Sequence, residues 1–174
     1  MEELISKIEQ AFIDVPYPGD KDLTRSTYGE EPAALVKEFR GKQNWQKLDA
    51  EFLNQAPDGW GTALCFFSNN AFQFYLAAYL IADIQGCLDI QDPTVRLCMS
   101  LTPLGEKQKI AKIWGGGTMG TLAREEFDCY DAQKVSAIVA YLWWKLESLG
   151  GYDMVIEQAL EHYWIAREDN SYTS

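Results

Sequence analysis

Histidine is almost missing from this chain: His162 is the only one in 174 residues. A Ser–His–Asp or Cys–His nucleophile would have to use it, and its neighbours Leu160-Glu161 and Tyr163-Trp164 supply no partner for that work. It falls at the edge of the apolar face of the last helical pattern and reads as a packing or surface residue. Cysteine is limited to four residues. Cys65, Cys87, Cys98 and Cys129 stand far apart, without the Cys-x-x-Cys spacing of a zinc site or a dithiol redox pair. Apolar neighbours, as in Leu64-Cys65-Phe66 and Leu97-Cys98-Met99, suggest buried thiols acting as small hydrophobes. Neither a His-Glu-x-x-His pair nor an Asp-x-Asp-x-Asp-Gly loop occurs, so no metal, no cofactor and no catalytic residue is expected.

Positive charge is also short. The chain has 15 Lys and Arg against 26 Asp and Glu, a formal charge of -11. Binding to a phosphate backbone needs the opposite surplus, so nucleic acid is not an expected partner. The acids are spread out, 12 against 7 bases in residues 1–60 and 7 against 3 in residues 131–174, which fits either a well-charged surface or attraction to a basic protein. Long apolar runs are missing as well. A membrane span needs about 20 apolar residues, and the longest run here stops well short of that. The opening Met1-Glu2-Glu3-Leu4 is acidic where a signal peptide would be basic, so a cytoplasmic protein with reduced cysteines is expected.

What the chain does have is one almost wholly apolar helix. From Ala71 to Ala82 only Gln73 is polar, Ser68 has the oxygen of an N-cap, and Phe67 can staple onto Phe72. A helix apolar on every face sits inside a fold. Around it the spacing predicts amphipathic helices: one ending at Pro16, one opened by Glu30-Glu31-Pro32 and closed before Gly41, and one through Trp45, Leu48, Phe52, Leu53 and Ala56. Others follow Asp92-Pro93, follow Asp128 or Asp131, and start near Asp153. Residues 16–30 read as a long surface loop, and 62–67 as a short strand or extended lead. Residues 107–122 read as a loop or one short hairpin. Within them Gly115 to Gly120 matches Gly-x-Gly-x-x-Gly. The residues about 20 positions on are Ala140 and Tyr141, where a dinucleotide site wants an acid, so the match is weak. Glu125, Glu126, Asp128 and Asp131 form the densest acidic group and read as charge favouring the following helix start.

Two features could carry binding. Trp60, between glycines, is either a lid over the core or an exposed contact. Asp83, one turn after Tyr79, ends an apolar helix where a carboxylate needs a partner, so it is an internal anchor or part of a small polar pocket. Trp60, Tyr79 and Asp83 are the candidate binding residues.

Trp45-x-x-Leu48, followed by Phe66-Phe67-Ser68-x-x-Ala71-Phe72-x-Phe74-Tyr75-Leu76-x-Ala78-Tyr79-Leu80-Ile81-Ala82-Asp83, resembles a family of small bacterial proteins known as a domain of unknown function. The resemblance covers residues 31–85 clearly and the helix after Asp131 more loosely. That family often has Pro before the Ala-Tyr pair, where Ala77 stands here, which implies a straighter central helix. It implies a self-contained domain and brings no activity, substrate or site residue.

The expectation is therefore mainly α: one compact domain over residues 1–167, a buried central helix at about 69–85 enclosed by amphipathic helices, and a polar tail at 168–174. Its expected role is a non-enzymatic acidic interaction protein, immunity or antitoxin-like, with a basic protein as partner. The alternatives are a small-molecule sensor or enzyme with a pocket near Tyr79 and Asp83, and a self-associating structural domain.

Overall fold

Caps and glycines decide where the helices begin and end. The structure, a computed structural model, describes residues 1–26, 28–55, 63–112 and 115–171. It is mainly α with a buried core, and its contacts group into two compact units, Met1–Pro93 and Thr94–Ser174.

In the first unit, α1 (Glu2–Phe12) buries Ile8, Ala11 and Phe12 and packs along the central helix. Helix α2 (Glu30–Phe39) starts on its two glutamates with Pro32 in the first turn. It stops where Arg40 turns extended and Gly41 takes φ of 71°, a left-handed value that suits glycine. The single helix expected over Trp45 to Ala56 is broken. Asn44 caps a 3-10 turn (Trp45–Lys47), Leu48 is extended at φ -81 and ψ 119, and Asp49 then accepts from Phe52 N at 2.8 Å to start α3 (Ala50–Gln55). Two capping residues five positions apart outweigh the continuous hydrophobic spacing. The strand or extended lead expected before the central helix is instead a short helix, α4 (Ala63–Phe66).

The central helix, α5 (Asn69–Ile84), forms as expected. Ser68 Oγ accepts from Ala71 N at 3.0 Å, and from Ala71 to Ala82 only Gln73 and Ile81 reach partly into solvent. Its end is a Schellman motif: Gly86, at φ 68°, donates to Asp83 O at 2.9 Å, and Cys87 donates to Ala82 O at 2.9 Å. The long segment before α2 is a strap across the start of α5. Leu23 is fully buried, Thr24 bridges Phe67, Arg25 N donates to Phe66 O at 3.1 Å, and Ser68 N donates to Leu23 O at 3.2 Å.

The second unit contains α6 (Pro93–Cys98), a 3-10 turn (Met99–Leu101), α7 (Pro103–Lys107), α8 (Met119–Phe127), α9 (Ala132–Ser148), α10 (Met154–Ala159), a π turn (Leu160–Trp164) and α11 (Ile165–Ser171). Between α7 and α8 the expected hairpin is reduced to one antiparallel bridge, Lys109 to Thr118, and no strand forms among the described residues. Gly115, Gly116 and Gly117 all have positive φ, which explains that part of the glycine run. Gly120 lies inside α8, where a Cβ would come within 2.7 Å of the Glu106 carboxyl carbon, so packing explains it. Asp131 caps α9 by accepting from Lys134 N at 3.0 Å, and Asp153 caps α10. Trp164 is buried against Phe127 and donates to Leu97 O at 3.0 Å.

One reading of the cysteines is corrected. Cys98 is buried, but Cys65, Cys87 and Cys129 are exposed: Cys65 lies on α4 next to buried Leu64, and Cys87 and Cys129 lie in the segments that follow α5 and α8.

Candidate functional site

The break at Leu48 opens a hollow of about 360 Å³ in the first unit. Its floor is a stripe of α5, namely Ala78, Ile81, Ala82 and Gln85, the i, i+3, i+4 and i+7 positions of one helical face. Small alanines there let an incoming group approach the helix closely. Trp45 and Leu48 form an apolar wall, and Trp45 is 5% exposed. Glu9, on the outward face of α1, and Asp49, the cap of α3, supply two carboxylates from separate elements. The amides of Gln46 and Gln85 complete the polar lining, and the described lining has no basic residue. A second hollow of about 290 Å³ shares Leu48 and Asp49 but also contains Lys42 and Lys47. There the chain supplies its own cation, since Lys42 Nζ lies 4.6 Å from the centre of the Phe52 ring.

Of the three residues singled out from sequence, Trp60 lies outside the described residues. Tyr79 and Asp83 are on α5, and neither is in the described lining of either hollow. Tyr79 is fully buried, and its hydroxyl finds no hydrogen-bond partner among the described residues. Burial pushes its phenol well above the usual range, with Tyr75 and then the Glu38 carboxylate adding to the rise. Glu38 Oε2 is likewise buried without a partner among the described residues. Asp83 is half-buried, and its carbonyl serves the Schellman end of the helix.

The strap builds a further polar cluster in the same unit. The Tyr17 hydroxyl donates to Asp20 Oδ1, Gly41 N donates to the same oxygen at 2.9 Å, and the Tyr75 hydroxyl donates to Lys42 O at 2.9 Å. Donation from Tyr17, then from Gly41, holds the Asp20 carboxyl below its ordinary value. This cluster ties the strap to the end of α2 and to α5.

In the second unit the dense acidic group is divided among separate tasks. Glu126 is buried and takes two bonds from Arg96, Nε at 2.9 Å and Nη2 at 2.8 Å, both on Oε1. Asp128 accepts from the Tyr163 hydroxyl at 2.9 Å, Asp131 caps α9, and Glu125 is exposed. His162 is exposed on the π turn, and its carbonyl accepts from Arg124 Nη2 at 3.4 Å. Among the described residues no group of three or more His, Cys, Asp or Glu gathers to hold a metal ion, and no helix is long and apolar enough to cross a membrane.

Sequence reasoning missed Glu9, Gln46, Asp49 and Gln85. The one available signal was the pair of capping residues Asn44 and Asp49, which marks a break where periodicity suggests continuity.

A model of a family described as "Family of unknown function (DUF6714)" matches residues 1–168, so the likeness extends well beyond the stretch that carries the motif. No curated protein and no solved structure matches the chain.

Proposed function

We propose, for a chain that belongs to this family of unknown function, that it is a non-enzymatic acidic binding protein whose first unit engages a basic protein. The observation that carries this reading is the distribution of charge. Residues 1–93 hold 15 acids against 7 bases, while residues 94–174 hold 11 against 8. Most of the acids in the first unit, among them Glu3, Glu9, Asp14, Glu31 and Glu51, are exposed. A one-signed surface steers an oppositely charged partner and sets its register. One form of such a protein masks a basic toxin, as an immunity or antitoxin-like factor does. A cytoplasmic location goes with this reading, and the four free thiols support it.

The test is capture from the lysate of the source cell on immobilised protein, with two charge-reversed variants beside the parent. Glu3→Lys with Asp14→Lys alters the first unit, and Glu125→Lys with Glu147→Lys alters the second; all four side chains are exposed. The expected result is a basic protein retained by the parent and the second variant, and lost from the first. Equal retention by both variants, or no retained protein at low salt, overturns the reading.

One observation favours a second reading, a small-molecule pocket beside Tyr79 and Asp83. The Tyr79 hydroxyl and Glu38 Oε2 are both buried and without a partner among the described residues, and a polar guest would satisfy them. It predicts a ligand-induced rise in melting temperature that Asp83→Asn or Tyr79→Phe removes without unfolding the protein. An unchanged rise counts against it.

A further inference from the structure

We infer that the hollow between α1, the Trp45–Lys47 turn, α3 and α5 is a socket for one lysine or arginine side chain presented by the partner. This rests on the reading of the chain as an acidic binding protein and identifies where and how contact is made.

The chemistry of the hollow selects the occupant. An apolar floor of Ala78, Ile81 and Ala82 suits a methylene stem, which long cationic side chains lay along apolar surface while the charged head stays among polar groups. Glu9, and the Asp49 oxygen not used in capping α3, give that head acceptors of opposite charge, and the largely buried Trp45 closes one side of the hollow. A neutral apolar guest would leave both carboxylates unused, and an anion would be repelled by them. The neighbouring hollow supports the same conclusion by contrast. It has the same Leu48 and Asp49, and the chain fills its cationic role with Lys42, laid over the Phe52 ring. The first hollow has acids and apolar wall and lacks a base of its own in the described lining. A cation from outside completes it.

Three pentapeptides test this by nuclear magnetic resonance titration of the full chain: Gly-Ala-Lys-Ala-Gly, the same peptide with acetyl-lysine, and the same with norleucine. The lysine peptide is expected to shift the Trp45 indole and the Gln46 and Gln85 side-chain amides together. Affinity should weaken about threefold for each carboxylate neutralised by Glu9→Gln or Asp49→Asn. Asparagine can still cap α3, so the second variant keeps the local fold. The acetylated and norleucine peptides should not shift these residues. Equal shifts from all three peptides, or shifts scattered over the acidic surface and unchanged in Glu9→Gln, overturn the socket. Capture of a basic protein without lysine-peptide shifts at the hollow removes this site and leaves the binding reading standing. Shifts at the hollow with no captured protein do the reverse.

Discussion

Tyr75 and Tyr79 lie one turn apart on α5 and are both fully buried, yet their hydroxyls have different roles. Tyr75 donates to Lys42 O at 2.9 Å, while the Tyr79 hydroxyl has no partner among the described residues. A bonded buried hydroxyl contributes about 1 kcal/mol, and an unbonded one is a cost. Tyr75→Phe is therefore expected to lower the free energy of unfolding by about 1 kcal/mol in urea, and Tyr79→Phe to leave it level or raise it slightly. Loss of stability in Tyr79→Phe equal to that in Tyr75→Phe would mean that the hydroxyl has a partner in solution. The same residues set a pH limit. Burial is the first cause raising the phenols of Tyr75, Tyr79, Tyr130 and Tyr163 above the ordinary value of 10.0. A phenol whose folded value is raised contributes stability that is complete below its unfolded value, about 10, and is lost as pH rises above it. Phenolate absorbance from these four is expected to appear together with loss of helical circular dichroism above pH 10. Their ionisation in a chain that keeps its helicity would contradict this.

At the scale of elements, the second unit depends on contacts that composition could not foretell. Arg96 and Glu126 are 30 positions apart, and their side chains are 9% and 6% exposed. Removing one partner of a buried ion pair typically costs about 3–5 kcal/mol, whereas replacing both by apolar groups is often close to neutral. Arg96→Met is expected to destabilise by that amount, and Arg96→Met with Glu126→Leu to recover most of it in the same urea titration. Gly105→Ala tests a tighter fit. A Cβ there would meet Ser100 O at 2.2 Å, a clash with backbone that cannot move aside. It is expected to cost at least about 1–3 kcal/mol, the usual range for overpacking. These cases show which parts of the fold were legible in the sequence. Helix α5 was legible because cap, apolar run and terminal glycine all lie within twenty or so consecutive residues, roughly the span over which local signals act. The strap at residues 16–26 was not, since its order comes from backbone bonds to Phe66 and Leu23's burial, neither of which leaves a periodic trace. The hollow was hidden for a related reason: its lining is assembled from Glu9, Trp45, Asp49 and Ala82, which no sequence window holds together.

Over the whole molecule, charge decides how a partner would be held. The formal charge is -11 at pH 7 and the isoelectric point is about 4.5, so attraction to a basic protein must weaken as pH falls towards 4.5 and the carboxylates take up protons. It must also weaken with salt, because the screening length shrinks from about 10 Å at 0.1 M to about 3 Å at 1 M. Apolar contact behaves in the opposite way, gaining as net charge disappears and holding as salt rises. Capture measured on a grid of pH 7.5, 6 and 5 and of low and high salt therefore separates the two sources of affinity. The expected pattern is strongest retention at pH 7.5 and low salt, declining along both axes, with Glu9→Gln shifted towards weaker retention at every point where the parent still binds. Retention that grows towards pH 5, or survives high salt unchanged, would assign the contact to apolar surface and leave the acidic excess of the first unit without a part in it.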